Sequence, residues 1–398
     1  MVFPLPAERM SLVRPSAIRE LLKFGADPNI ISFAGGYPDA SLFPLEQLNA
    51  VYQAAILEHG QVSLQYTVSN GIPKLRAQIA ARMSHDGTTS DEDNVLILQG
   101  SQQGLDLVAK MFINKGDLIV TENPTFLGAL IAFNPYEPSY CAIAMDEDGI
   151  RTDELRQQLA QGLKPKLLYT VPDFQNPTGV TMSVERRREL VELANLYNFI
   201  ILEDSPYREI RFEGENLPTL KSMDTEDRVI FLGSFSKVLA PGMRLGWAVA
   251  SHDLIQKLGL LKLAVDTQCS TLNMTTASIF LERYDLDQHI ATLRQVYRRK
   301  KNLMLTTIRQ NFPQEVSFTS PSGGLFTWLK FPQGFDTARF MREQAVPQAK
   351  VAFVPGATFF PVKQENNYAR INFSAQPDEN ITKGISVLGQ LAKQEVNR

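Results

Sequence analysis

Two spacings of apolar residues alternate along the chain. Short apolar runs at about 95–99, 118–121, 167–171, 199–203, 229–232 and 245–250 have the length of buried strands. Between them lie stretches such as Leu105 to Ile113 and Val184 to Tyr197, where apolar positions recur as they do on one face of a helix. This alternation predicts an α/β arrangement, a mostly parallel sheet flanked by helices. From about Leu286 the pattern changes to a long charged helical run. It leads into Gly324 to Phe331, Lys350 to Val354 and Tyr368 to Phe373, which read as a smaller α+β unit. No internal repeat or low-complexity linker interrupts the chain.

Composition narrows the function classes. The 398 residues are 44% hydrophobic and 21% charged, ordinary for a soluble globular protein and enough for two domains. A net charge of −3 argues against a general nucleic-acid binder, and the basic cluster Arg298-Arg299-Lys300-Lys301 reads as a solvated helix face. Two cysteines, Cys141 and Cys269, make no disulfide framework and share no metal spacing with the four histidines, so no metal is expected. Reduced thiols fit a cytoplasmic protein. No run approaches the roughly 18 apolar residues of a membrane span, and Met1 to Arg14 lacks the apolar core of a signal peptide. His59, His85, His252 and His289 fall in no recognisable Ser/His/Asp or Cys/His arrangement.

The chemistry concentrates where apolar runs end. After Val229-Ile230-Phe231-Leu232 comes Gly233-Ser234-Phe235-Ser236-Lys237, continued to Arg244 by Val238-Leu239-Ala240-Pro241-Gly242-Met243. A strand ending in such a turn presents its side chains at the carboxyl edge of a sheet, where open α/β folds bind ligands. Ser234, Ser236 and Arg244 can donate hydrogen bonds to a phosphate, and Lys237 among them suggests Schiff-base chemistry with pyridoxal 5'-phosphate (PLP). PLP needs a carboxylate to keep its pyridine nitrogen protonated. Asp204, in Ile200-Ile201-Leu202-Glu203-Asp204-Ser205-Pro206-Tyr207, is the candidate, with Glu203 on the opposite face of the strand. Asn176, in Val171-Pro172-Asp173-Phe174-Gln175-Asn176-Pro177-Thr178-Gly179, and Tyr207 can both hydrogen-bond the ring hydroxyl. Gly100-Ser101-Gln102-Gln103-Gly104 ends another strand and opens a helix, whose N-terminal N–H groups and dipole favour phosphate.

These segments, with Ile31-Ser32-Phe33-Ala34-Gly35-Gly36-Tyr37-Pro38 near the start and Ala369-Arg370-Ile371-Asn372-Phe373-Ser374 near the end, resemble the fold type I PLP-dependent aminotransferases of class I/II. The likeness covers nearly the whole chain and is strongest to the 2-aminoadipate and kynurenine aminotransferases. It implies a large PLP-binding domain over 47–285 and a small domain made of 1–46 plus 286–398. It implies that Ser101 and Gln102 hold the phosphate and that Phe126 stacks on the ring, at a position where many relatives carry tyrosine. Tyr66 would reach the phosphate from a neighbouring subunit, making a homodimer with shared active sites. Gly36, Asn176 and Arg370 would bind substrate, with the Arg370 fork gripping the α-carboxylate. Lys237 would form the Schiff base with the cofactor and then serve as general base, which requires its pKa to be depressed.

The expected activity is transfer of an amino group from an L-amino acid (aromatic, branched-chain, glutamate or 2-aminoadipate) to a 2-oxo acid such as 2-oxoglutarate. Arg19, in Ser16-Ala17-Ile18-Arg19-Glu20-Leu21-Leu22-Lys23, sits where an arginine could meet a distal carboxylate. A lyase, decarboxylase or racemase on the same fold is the alternative. A transcription regulator of this fold is disfavoured, because it would need a DNA-binding domain ahead of the first motif and only about 30 residues precede it.

Overall fold

A computed structural model describes residues 5–13 and 27–397. Its largest element is an eight-stranded sheet. In chain order its strands are β2 (Val95–Leu98), β3 (Leu118–Asn123), β4 (Ser139–Asp146), β5 (Gly149–Ile150), β6 (Leu167–Thr170), β7 (Ile200–Asp204), β8 (Val229–Ser234) and β9 (Gly246–Val249), β1 being the short Ile31–Ser32. They lie in the order β2-β9-β8-β7-β6-β3-β4-β5. The five strands β4, β3, β6, β7 and β8 are mutually parallel, while β9 runs antiparallel between β8 and β2. The mostly parallel sheet expected from the alternating pattern is present. The strand β4, Ser139–Asp146, was missed in the sequence: its apolar run Tyr140–Met145 contains one β-branched residue, Ile143, and most of its side chains are only partly buried.

Both faces of the sheet are covered, so successive side chains of each strand enter different cores. Ile119, Leu167, Tyr169, Leu202, Ile230 and Leu232 belong to the larger core, together with Leu105, Leu107 and Val108 of the helix Ser101–Phe112. Val120, Leu168, Ile201 and Val229 belong to a second core with Leu190, Leu193 and Ala194 of the helix Val184–Tyr197. Gly104 lets the first helix approach the sheet, since a Cβ there would lie 2.6 Å from Leu232 Cδ2.

A second, antiparallel sheet has the order β10-β11-β14-β13, from β10 (Ser317–Phe318), β11 (Phe326–Lys330), β13 (Val354–Pro355) and β14 (Tyr368–Asn372). β1 pairs in parallel with β12 (Val351–Ala352), which fastens the segment before residue 47 to this region. The helix Leu286–Asn311 lies against the helix Asp378–Val396. Its basic cluster corrects the solvated-face expectation. Lys300 is buried and donates to Asp39 Oδ2 (2.5 Å), Ser374 O and Gln376 O, and Lys301 is buried against Glu213 and the ring of Phe212. Only Arg298 and Arg299 of the four remain exposed, because the helix has partners on more than one side.

The loop after β6 is held by a buried charge cluster. Asp173 receives Arg187 Nη2 at 2.9 Å and Arg211 Nη2 at 3.2 Å, with Arg208 Nη1 at 4.0 Å. Burial disfavours the carboxylate, but the three guanidinium groups outweigh it and hold the Asp173 pKa below its ordinary value. Arg187 also donates to the carbonyls of Pro172, Met182 and Pro218, tying this loop to the next helix. Replacing Asp173 by Ala leaves these cations uncompensated, and denaturant unfolding is expected to show a loss of about 3–5 kcal/mol. A loss under about 1 kcal/mol would mean that the cluster is not what holds the loop.

Candidate active site

Parallel pairing brings the carboxyl ends of β3, β6, β7 and β8 to one edge of the sheet. The turn after β8 carries Lys237, whose Nζ donates to Gly36 O at 2.8 Å across a sequence distance of 201 residues. Ser234 Oγ donates to Ser236 Oγ (2.9 Å) and accepts from the Ser236 N–H (3.1 Å). The chain then makes a 3₁₀ turn, Pro241–Met243, and Arg244 takes a left-handed φ of 52°. Arg244 Nη2 donates to Gln99 O at 3.1 Å and lies directly over Gly100. Gly100 has a φ of 78°, and a Cβ on it would sit 2.6 Å from that Nη2. Only glycine satisfies both the backbone and the guanidinium there.

Ser101, rather than Leu105, begins the helix that ends at Phe112, and no side chain caps it. Its first residues, Ser101 and Gln102, line the same cavity as Arg244, Ser234 and Ser236, with the helix's N-terminal N–H groups free of a side-chain cap. Gly246 allows this approach, because a Cβ at that position would lie 2.7 Å from Ser101 N. Gln102 Nε2 reaches Gly128 O at 2.7 Å.

These residues line one cavity of about 170 Å³. Gly100, Ser101, Gln102, Ser234, Ser236 and Arg244 share it with Phe126, Val171, Asn176, Asp204, Pro206, Tyr207 and Lys237. A larger cavity of about 740 Å³ lies beyond β3 and β4, between the Thr178–Thr181 loop and Trp328, but no lysine or arginine lines it. Chemistry rather than size marks the site.

Asp204 is buried, with Oδ2 accepting from the Tyr169 hydroxyl at 2.9 Å and Oδ1 without a partner. Burial raises its pKa to about 7, against the Tyr169 hydrogen bond and the charge of Lys237. Glu203 points the other way, as its strand position predicts, and accepts from the backbone N–H groups of Leu220 and Lys221. Lys237 is pushed down to about 8 by desolvation first, then by Arg370 and Arg244. Asn176 Nδ2 donates to the Tyr207 hydroxyl at 3.2 Å, and burial raises the Tyr207 pKa to about 12, keeping the phenol protonated.

Arg370 on β14 faces this cluster from the second sheet. Its Nη1 donates to Asn176 Oδ1 (2.8 Å) and its Nη2 to Ala34 O (2.7 Å), while its guanidinium lies over the rings of Phe326 (4.2 Å) and Phe359 (5.2 Å). Its Nε has no partner, and among the described residues no carboxylate pairs with it. Burial lowers its pKa to about 10, since a cation without an anion is costly there.

The model of the aminotransferase class I and II family matches residues 32–388. The chain belongs to that family. It is 41% identical to an aromatic-amino-acid aminotransferase of Thermococcus litoralis, covering 98% of this chain and 95% of that one. The structure is similar to that of Pyrococcus horikoshii kynurenine aminotransferase in complex with PMP, with a TM-score of 0.93 and 37% identity over 98% and 97% of the chains. It is also similar to the alpha-aminoadipate aminotransferase of Thermus thermophilus complexed with N-(5'-phosphopyridoxyl)-L-leucine, with a TM-score of 0.91 and 34% identity over 98% and 97%. The protein is thus a fold type I, PLP-dependent aminotransferase.

The residues suit that cofactor. The orphaned Asp204 Oδ1 matches a protonated ring nitrogen, and Arg244, two serine hydroxyls and an uncapped helix N-terminus match a phosphate. Of the residues expected from the sequence, Ser101, Gln102, Phe126, Asn176, Asp204, Tyr207, Ser234, Ser236, Lys237 and Arg244 come together, with Gly36 and Arg370 bonded to members of the set. Tyr66 does not join them within one chain, being 81% exposed, and Arg19 lies outside the described residues. Sequence inspection missed Tyr169 and Glu122. Glu122 is buried, accepts from Thr170, Val171 N and Gln175, and has a pKa raised to about 7 by burial.

A pKa of about 8 leaves about a tenth of Lys237 neutral at pH 7, against well under a thousandth for an ordinary lysine. The rate of PLP incorporation into the apoenzyme, which needs the neutral amine, is expected to rise with pH and level off above about 8. A plateau reached only above pH 10 would show that Lys237 is not depressed.

Proposed function

We propose that this aminotransferase uses Lys237 as its reactive amine and proton carrier, Asp204 as the partner of the cofactor ring nitrogen and Arg370 as the anchor of the substrate α-carboxylate. The observation that carries this is the fully buried, anion-free Arg370 guanidinium joined through Asn176 to the cluster around Lys237. PLP, when bound, supplies an aldehyde carbon for the Lys237 amine and a ring that withdraws electrons.

The side chains divide the remaining work. Arg370 offers a fork to a carboxylate, and clamping it sets which bond at the substrate Cα faces the ring. Asn176 and Tyr207, already hydrogen-bonded to each other, present an amide and a protonated phenol to the ring hydroxyl. Lys237 Nζ, once free, takes the Cα proton, and the same depressed pKa that leaves part of it neutral makes it a base near neutral pH. Ser101, Gln102, Ser234, Ser236 and Arg244 hold the phosphate, and Phe126 offers a ring face without a hydroxyl.

The amino donors inferred are aromatic, branched-chain, glutamate and 2-aminoadipate, with 2-oxoglutarate as acceptor. The names of the relatives support this, as do the apolar rings of Phe326 and Phe359 beneath Arg370 and of Phe126 in the cavity wall. Arg19 is retained as the proposed partner of a distal carboxylate. We also infer a large domain over 47–285 and a small one over 1–46 and 286–398, and a cytoplasmic setting suited to the free thiols Cys141 and Cys269.

A homodimer is proposed on three observations. Gln102 and Arg244 are exposed although they belong to the phosphate group, so one chain leaves that part open. Tyr66 projects at 81% exposure, and Leu57, Val62, Leu64, Leu260 and Leu263 are also exposed. A second copy that covers these side chains and delivers its own Tyr66 to Arg244 would close the site.

With PLP bound, adding glutamate, leucine or phenylalanine is expected to bleach the visible band, and 2-oxoglutarate to restore it. Lys237→Ala is expected to lose the band's parent position and to slow turnover by roughly 10²–10⁴ from the missing proton transfer. Arg370→Ala is expected to lower kcat/KM on the order of a hundred-fold for all amino donors. Retained kcat/KM would remove Arg370 from the substrate. Co-expressing Lys237→Ala with Tyr66→Ala should give more activity than the two variants sum to, because a hybrid dimer contains one intact site. Activity no greater than that sum would count against sharing.

A further inference from the structure

Tyr169 is among the largest fully buried side chains of the protein, and none of the roles assigned above uses it. It stands on β6 opposite Leu202 of β7, and Asp204 follows Leu202 by two residues, so Tyr169 and Asp204 share a face of the sheet. The hydroxyl spans that diagonal and donates to Asp204 Oδ2 at 2.9 Å. Only Oδ1 is left without a partner, on a residue that lines the cavity. The Tyr169 ring is itself fixed by an edge contact with Phe133, at 5.6 Å and 78°. Burial, with Asp204 and Glu122 nearby, holds the phenol far above its ordinary pKa, so it remains a donor.

We propose that Tyr169 is a positioning residue that orients the Asp204 carboxylate and biases the proton shared with the PLP ring nitrogen toward the nitrogen. This rests on the role given above to Asp204. Two sites compete for one proton: the carboxylate, which burial makes basic, and the pyridine nitrogen. A hydrogen bond donated to the carboxylate stabilises its charged form and so weakens its hold on the proton. The other titratable groups around Asp204 do not replace this bond. Lys237 favours the carboxylate only through charge, and Glu122 and Tyr207 bear on the site without hydrogen-bonding Asp204.

The test is Tyr169→Phe, which removes one hydroxyl and keeps the ring against Phe133, in holoenzyme carrying PLP labelled with ¹⁵N at the pyridine position. In the parent protein the ¹⁵N shift should report a protonated nitrogen at pH 7.5. In Tyr169→Phe it should move toward the unprotonated value, because losing a hydrogen bond to a charged group shifts the proton equilibrium by about ten-fold or more. The same variant should lower kcat by a comparable factor with KM for the amino donor little changed, since Arg370 is untouched. Phe133→Leu, which loosens the packing but leaves the hydroxyl, should keep the parent ¹⁵N shift. A protonated nitrogen in the parent and an unchanged shift in Tyr169→Phe overturn the proposal while sparing Asp204. An unprotonated nitrogen in the parent overturns the role of Asp204 itself. A Phe133→Leu shift equal to that of Tyr169→Phe assigns the effect to packing and overturns the proposal too.

Discussion

Everything in the active site depends on the parallel register of β6, β7 and β8. That register sets Asp204 beside Leu232 and Tyr169 beside Leu202, and it brings the turn with Lys237 to the same edge as the Val171–Gly179 loop. Parallel strands need covered faces, and two cores provide them. Once both faces are buried, a charged side chain on such a strand can be tolerated only near its tip, where partners from loops and ligands reach it. Asp204 and Glu203 are consecutive and both buried, yet one meets the cavity and the other the N–H groups at the helix Leu220–Met223.

The electrostatics follow from that burial. Asp204 is made less acidic and Lys237 less basic by the same dry surroundings, so the protein holds both near neutrality before any ligand arrives. Arg370 is a third case, a cation kept from water over two aromatic rings without an anion. Such a group is costly to the fold and is sustained by the hydrogen bonds to Asn176 and Ala34. A site with one unpaired carboxylate oxygen and one unpaired guanidinium is shaped for a ligand that carries a cation at one place and an anion at another. An amino acid held on protonated PLP has both. Asp173 shows the contrasting solution, a carboxylate whose three arginines leave nothing unsatisfied and which serves only to hold its loop.

Local pattern made much of this legible. The strand tips, the lysine among serines, the Asp204 position and the Arg370 segment each stand in runs of ten or so residues, and their order carried the family resemblance. Tyr169 and Glu122 escaped notice because each looks ordinary within its own strand, and only the neighbouring strand gives it a partner. β4 escaped because its apolar run holds small residues and a single β-branched one, and the Lys300-Lys301 pair misled because a helix packed on several sides buries cations that a helix with one open face would expose.

Fold class and cofactor class were legible in the sequence alone, as were most of the residues that line the cavity, since those depend on residue type and on spacing within one segment. The tertiary structure decided what depends on approach between segments. It put Gly36 O on Lys237, laid Arg244 over Gly100, left Arg370 without an anion and gave one oxygen of Asp204 to Tyr169. Hydrogen bonds and desolvation act over a few ångströms in space, and the residues that exchange them here stand 35, 145, 194 and 201 positions apart in the chain.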